Sequence, residues 1–79
     1  MKKLLIDLAS AIVDIPEEVE VNERMDGDTL HLELSVAQSD MGKVIGKGGK
    51  IAKAIRTVIK ASSTKNNQHT VVDIVEKDR

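Results

Sequence analysis

Gly46-Lys47-Gly48-Gly49 is where backbone freedom and positive charge coincide in this chain. Glycine has no Cβ, so three glycines in four residues let another backbone lie directly against the turn. Lys43 precedes it, Lys47 sits inside it, and Lys50 and Lys53 follow. Amides opening a helix after the turn would add the positive end of a dipole. The chemistry on offer is therefore electrostatic, a clamp for several consecutive phosphates. The competing reading is a tight helix–helix turn with solubilising lysines, and the lysine density disfavours it. Nucleotide-binding loops fail on spacing. A hydrolase-type phosphate loop needs four residues between its first glycine and a Gly-Lys pair, then Ser or Thr. Here three residues separate Gly42 from Gly46, and Gly48 follows Lys47. A dinucleotide fingerprint starting at Gly46 would need glycine at position 51, which is Ile51.

No other grouping reaches catalytic chemistry. The chain has no cysteine, which excludes disulfides, thiolate metal sites and cysteine nucleophiles. It has no Phe, Trp or Tyr either, so stacking platforms are absent and the core is aliphatic. His31 falls on the polar side of a strand and His69 at the mouth of another, without metal-ligand spacing between them. Glu17, Glu18, Glu20 and Glu23 are close in sequence, but strand alternation gives no converging acid/base pair. The expectation is a binding protein rather than an enzyme, with no catalytic residue, cofactor, metal or small-molecule substrate.

Charge is strongly segregated. Residues 1–40 carry three basic and ten acidic side chains, whereas residues 41–72 carry seven basic ones and no acid. That asymmetry points to an anionic partner at one surface, despite a net charge of −1. At 79 residues the expectation is one small domain, for which self-association is one way to gain stability. The Met1-Lys2-Lys3-Leu4-Leu5-Ile6 start superficially suggests a signal peptide. Asp7, Ser10 and Asp14 break the apolar run, so it reads as the first helix of a cytoplasmic protein with no membrane segment.

The elements that must hold the turn follow from periodicity. Leu4, Leu5, Leu8, Ala9, Ile12 and Val13 predict a helix over 2–13, stopped by Asp14-Ile15-Pro16. A strand is expected over 18–24, then a turn at Met25-Asp26-Gly27-Asp28. The alternation of Leu30, Leu32, Leu34 and Val36 predicts a strand over 29–36. A short helix over 39–45, capped by Ser39, leads into the 46–49 turn. The helix over 50–62 places Ile51, Ala54, Ile55, Val58 and Ile59 on one side, and Lys50, Lys53, Arg56, Thr57 and Lys60 on the other. Residues 63–68 read as a polar loop. A strand over 70–76 closes the chain, its inward residues being either Val71 and Val75 or Val72 and Ile74. The expected class is α+β, in the order α-β-β-α-α-β, with a three-stranded sheet covered on one side by helices.

Val44-Ile45-Gly46-Lys47-Gly48-Gly49-Lys50 resembles the signature of the KH domain, and the element order resembles its type II, prokaryotic arrangement. Nearly the whole chain is similar to the small bacterial proteins built from a single such domain. The resemblance implies that Gly46 and Gly49 are the fixed glycines and that Lys47 and Gly48 face the phosphates. It implies a groove between the helix pair and a sheet edge, with an aliphatic floor that Val44, Ile45, Leu34 and Val36 are candidates for supporting. Many KH domains carry isoleucine three residues after the second fixed glycine, where this chain has Ala52.

The expected RNA-binding set is therefore Gly46, Lys47, Gly48, Gly49, Lys43, Lys50, Lys53, Arg56, Val44 and Ile45. The resemblance further implies single-stranded RNA as partner and a role as RNA chaperone or post-transcriptional regulator, with an influence on division and cell-wall elongation. It implies a homodimer, or a heterodimer with a larger KH-containing RNA-binding protein. Met41, Gly42 and the outer side of the long helix are open candidates for that contact. Single-stranded DNA and a dimerising adaptor role are the alternatives.

Overall fold

The apolar repeat at the start of the chain forms helix α1, Lys2–Ser10. A computed structural model describes residues 1–65 and 67–76. The helix ends three residues before the periodicity does. Ile12 and Val13 both donate their N–H groups to the Ala9 carbonyl, at 3.0 and 3.2 Å, so the last turn tightens while Val13 stays buried. Pro16 then opens a 3-10 turn over Pro16–Glu18, where its fixed φ suits the first position. That turn delays strand β1 to Glu20–Asp26 instead of 18–24. Gly27, at φ 62°, and Asp28 connect it to strand β2, Thr29–Ser35.

β2 is the central strand. It pairs antiparallel with β1, Val21 opposite Leu34, and parallel with strand β3, His69–Ile74, Leu32 opposite Val72. A parallel neighbour requires a crossover rather than a hairpin. The crossover consists of helix α2, Met41–Ile45, the glycine turn, and helix α3, Lys50–Lys65. The helices cover one face of the sheet, an α+β fold. Leu5, Ala9, Val21, Leu30, Leu32, Leu34, Val36, Val44, Ile55, Ile59 and Val72 form its aliphatic core. Arg24, His31 and Val71 make one row across the other face, and Asn22, Glu33 and Asp73 the next.

Further expectations change. β3 spans 69–74 rather than 70–76, because its pairing with β2 stops at Leu34 opposite Ile74. Its register resolves to Val72 and Ile74 inward, leaving Val71 and Val75 exposed. α3 runs past residue 62, because the Ser63 and Thr64 hydroxyls donate to the Lys60 carbonyl and Ser63 is buried. The polar loop therefore starts later than 63. Asn67, at φ 55°, ends the helix in a Schellman arrangement, with its N–H on Thr64 O and that of Gln68 on Ser63 O. Of that loop, Asn66 lies outside the described residues. The buried stripe of α3 is Ala52, Ile55, Ile59 and Ser63, whereas Ile51, Ala54 and Val58 are exposed.

Candidate functional site

α2 stops because Gly46 takes φ 75° and ψ 173°, a region essentially closed to residues with a Cβ. Its N–H closes the last helical turn on Gly42 O at 2.8 Å, and its carbonyl accepts from Gly49 N–H at 3.2 Å. Lys47–Gly49 then form a 3-10 turn, with Gly48 left-handed at φ 65°, ψ 20° and Gly49 at φ 78°. The glycines serve two purposes. A methyl group on Gly46 would overlap Ile51 Cγ1 and lie 2.8 Å from Ile51 N, so here α3 starts against bare backbone. Over Gly48 and Gly49 a methyl group would meet nothing within 4 Å, so that side of the turn is open to a ligand.

Lys47 lies within the turn and Lys50 and Lys53 on the first turn of α3, all three exposed. Ile45 and Ile51, both more than a third exposed, form aliphatic lips on either side of the turn. Val44 is fully buried in the core, so it supports the turn from below and cannot touch a ligand. Leu34 is sealed at 0% exposure on the central strand, and Val36 just after it is equally buried, so neither lines a groove. Ala52 is buried, and it is Ile51 that packs against the turn.

The start of α2 is held differently from the sequence expectation. Ser39 lies within a 3-10 turn, Gln38–Asp40, and caps nothing. Asp40, 1% exposed, reaches back to the segment after α1. Its Oδ1 accepts the Asp14 N–H at 3.1 Å and its Oδ2 the Ile15 N–H at 3.0 Å. Asp14 in turn forms an ion pair with Lys43. That contact, chiefly its hydrogen bond, holds the Lys43 ammonium above the ordinary lysine pKa. The pair's contribution is therefore present through neutral pH and fades only as pH rises through that raised value. Lys43 is thus paired with an acidic partner, although both side chains remain exposed. Asp40→Ala orphans two backbone amides, and we expect a loss of about 3 kcal/mol in chemical denaturation. A loss below about 0.5 kcal/mol would contradict this account of how α2 is anchored.

Along α3, Lys53, Arg56 and Lys60 form one stripe beside β3. Arg56 donates from Nε to the Val72 carbonyl at 3.1 Å. With Lys60, Thr70, Val71, Val72 and Asp73 it lines a shallow hollow between helix and strand. The sheet order makes β3 an edge strand. No local pattern signals the Asp40 tie or the Arg56 anchor, whose partners lie 25 and 26 residues and 16 residues away, respectively. Among the described residues, no group of three His, Asp or Glu could hold a metal ion, and no helix is long and apolar enough to cross a membrane. His31 Nδ1 and Thr70 Oγ1 are buried without a hydrogen-bond partner.

The chain is 56% identical over 75 residues to a Clostridium acetobutylicum protein named "RNA-binding protein KhpA", covering 95% of this chain and all of that one. A protein of the same name from Clostridium perfringens is 53% identical with the same coverage. One from Halalkalibacterium halodurans is 50% identical over 76 residues, 96% of this chain and all of the relative. Among solved structures, Aquifex aeolicus Era bound to GDP·AlF4− superimposes with a TM-score of 0.71 at 16% identity. The match covers 96% of this chain and 29% of that one, a likeness of fold alone. Era in complex with MgGDPNP and a segment of 16S ribosomal RNA gives a TM-score of 0.62 at 15% identity, again over 96% of this chain and 29% of that one. The family model described as "KhpA/KhpB, KH domain" matches residues 2–74, and the chain belongs to that family.

Proposed function

We propose that this protein binds short single-stranded RNA segments without catalysis, holding the phosphate backbone on the Gly46–Gly49 turn. The observation that carries the reading is the uncovered backbone of Gly48 and Gly49, ringed by Lys47, Lys50 and Lys53. The names of the relatives support it, since they are called RNA-binding proteins. Single strands splay their bases, so a narrow surface accepts them while phosphate contacts set position. No aromatic ring is available for stacking, so affinity per domain is modest and strongly salt-dependent. Lys43, paired with Asp14, contributes less than Lys47 and Lys50. The test is fluorescence anisotropy with labelled single-stranded RNA, matched DNA and duplex. Binding that favours single-stranded RNA over duplex is expected, and equal binding to duplex or none at micromolar protein would contradict the reading. We further place the protein in the cytoplasm, as a post-transcriptional regulator or RNA chaperone.

A specific observation favours an added role as a pairing module. Ile51, Ala54, Val58 and Ala61 lie on one side of α3 and are all exposed, with Val58 at 42%. A second copy, or the KH domain of a larger RNA-binding protein, would bury this stripe, and two linked sites would raise avidity. Val58→Asp is expected to shift a dimer to monomer in sedimentation velocity without altering circular dichroism. A wild type that is monomeric at all accessible concentrations would remove the self-pairing arm.

A further inference from the structure

β1 and β3 are the two edges of the sheet, and we propose that the β1 edge takes up a basic, extended protein segment as a fourth strand. The direction of its backbone groups follows from the pairing. Leu34 turns its carbonyl to the β3 side, where it accepts the Val75 N–H at 2.9 Å. Strand groups alternate sides, so His31, Glu33 and Ser35 of β2 bond to Arg24, Asn22 and Glu20 of β1. Val21, Glu23 and Met25 therefore point their N–H and C=O groups outward, where β1 has no neighbouring strand among the described residues. Proline, lysines or a bulge commonly blunt such an edge. β1 contains no proline or lysine, and its seven residues pair with β2 without interruption.

Charge decides what this edge accepts. Glu17, Glu18, Glu20, Glu23, Asp26 and Asp28 are exposed on or beside the strand, and Arg24 is the one basic residue among positions 17–28. Such an edge repels nucleic acid. It also repels a second copy in the register that pairs all seven residues, because Glu23 would face Glu23 and Glu20 would face Asp26. A basic segment meets complementary charge at those same positions. An apolar foothold adjoins them, since Met25 is 56% exposed and lines a shallow hollow with Met1, Glu23 and Leu30. An added antiparallel strand would set an apolar side chain beside Met25 and lysines opposite Glu20, Glu23 and Asp26, with a neutral residue opposite Arg24. Basic arms of nucleic-acid-binding proteins have this character. One docked on β1 would leave the opposite edge, where β3 meets Arg56 of α3, uncovered.

The test uses the wild-type protein and variants of a peptide, so no folding defect can intervene. The probe is Lys-Leu-Thr-Lys-Thr-Val-Lys, which in antiparallel register places its lysines opposite Asp26, Glu23 and Glu20 and its leucine opposite Met25. Titrated into isotope-labelled protein and followed by NMR, it should shift the β1 amides and slow hydrogen exchange at Val21, Glu23 and Met25. Replacing its three lysines by glutamate should weaken binding about tenfold or more. N-methylating its central lysine, whose amide would bond Glu23, should do the same while leaving the charge intact. Glu23→Lys, at an exposed position, should match that loss with circular dichroism unaltered. Equal binding by either altered peptide, exchange protection on other elements, or no binding at millimolar peptide would overturn the inference. Concentration-dependent protection of the same three amides without peptide would give the edge to a second copy and overturn it as well.

Discussion

Gly46→Ala is expected to cost about 3–5 kcal/mol, enough to leave a domain of this size largely unfolded. Two independent penalties meet there. The backbone conformation at this residue is φ 75° with ψ 173°. For any residue with a Cβ that conformation is strained by about 1–3 kcal/mol. The new methyl group would also overlap Ile51 Cγ1 and sit 2.8 Å from the Ile51 backbone nitrogen. A side chain can swing away, but that nitrogen belongs to the first turn of α3, so relief requires moving the helix. Gly48→Ala is the control. It carries a left-handed φ of 65° with nothing within 4 Å of the added carbon. The loss there should be only about 1–2 kcal/mol. Urea denaturation of both variants checks the difference. Equal losses would mean that Gly46 is glycine for φ alone and that the contact with Ile51 is not limiting.

Lys47→Asp combined with Gly48→Asp should remove RNA binding while keeping the fold. The pair deletes one positive charge and introduces two negative ones on the open side of the turn. At about 1 kcal/mol per charge for contacts near about 4 Å in water, the change approaches about 3 kcal/mol, or roughly a hundredfold in affinity. Asp tolerates the left-handed conformation better than most residues, and both positions are exposed, so circular dichroism should be unchanged. Retained binding by the folded variant would transfer the interaction to another surface, and the pairing role of α3 would then lead.

Local pattern carries much of this structure. The alternation in β2 is unambiguous because one face is buried along its length, and the glycine spacing locates the turn between two helices. Element ends are less legible. Pro16 could stop α1 without forming its own 3-10 turn, and Ser63 and Thr64 look like loop residues until their hydroxyls find the Lys60 carbonyl. Periodicity assigns Ile51 to the buried side of α3, because it counts apolar residues without knowing that Gly46 stands beside this one. The resemblance offers Leu34 and Val36 as support for a groove floor, and with both fully buried in or just after central β2 they can act only from within the core. The roles of Asp40, Asp14 and Arg56 are long-range. Nothing near Asp40 in sequence hints that both carboxylate oxygens bind amides of Asp14 and Ile15. Nothing near Lys43 announces an acidic partner 29 residues away.

If Lys47, Lys50, Lys53 and the bare glycine turn hold a phosphate chain, affinity for RNA must fall as salt rises. The salt dependence of single-stranded RNA affinity, measured by anisotropy from low to moderate potassium chloride, tests it most directly. Counterion release gives a slope of about −0.7 per neutralised phosphate on a single strand, so Lys47, Lys50 and Lys53 together predict a log–log slope of about −2. Lys47→Gln should flatten it by about 0.7. A wild-type slope near zero, or one that Lys47→Gln leaves unchanged, would contradict the account.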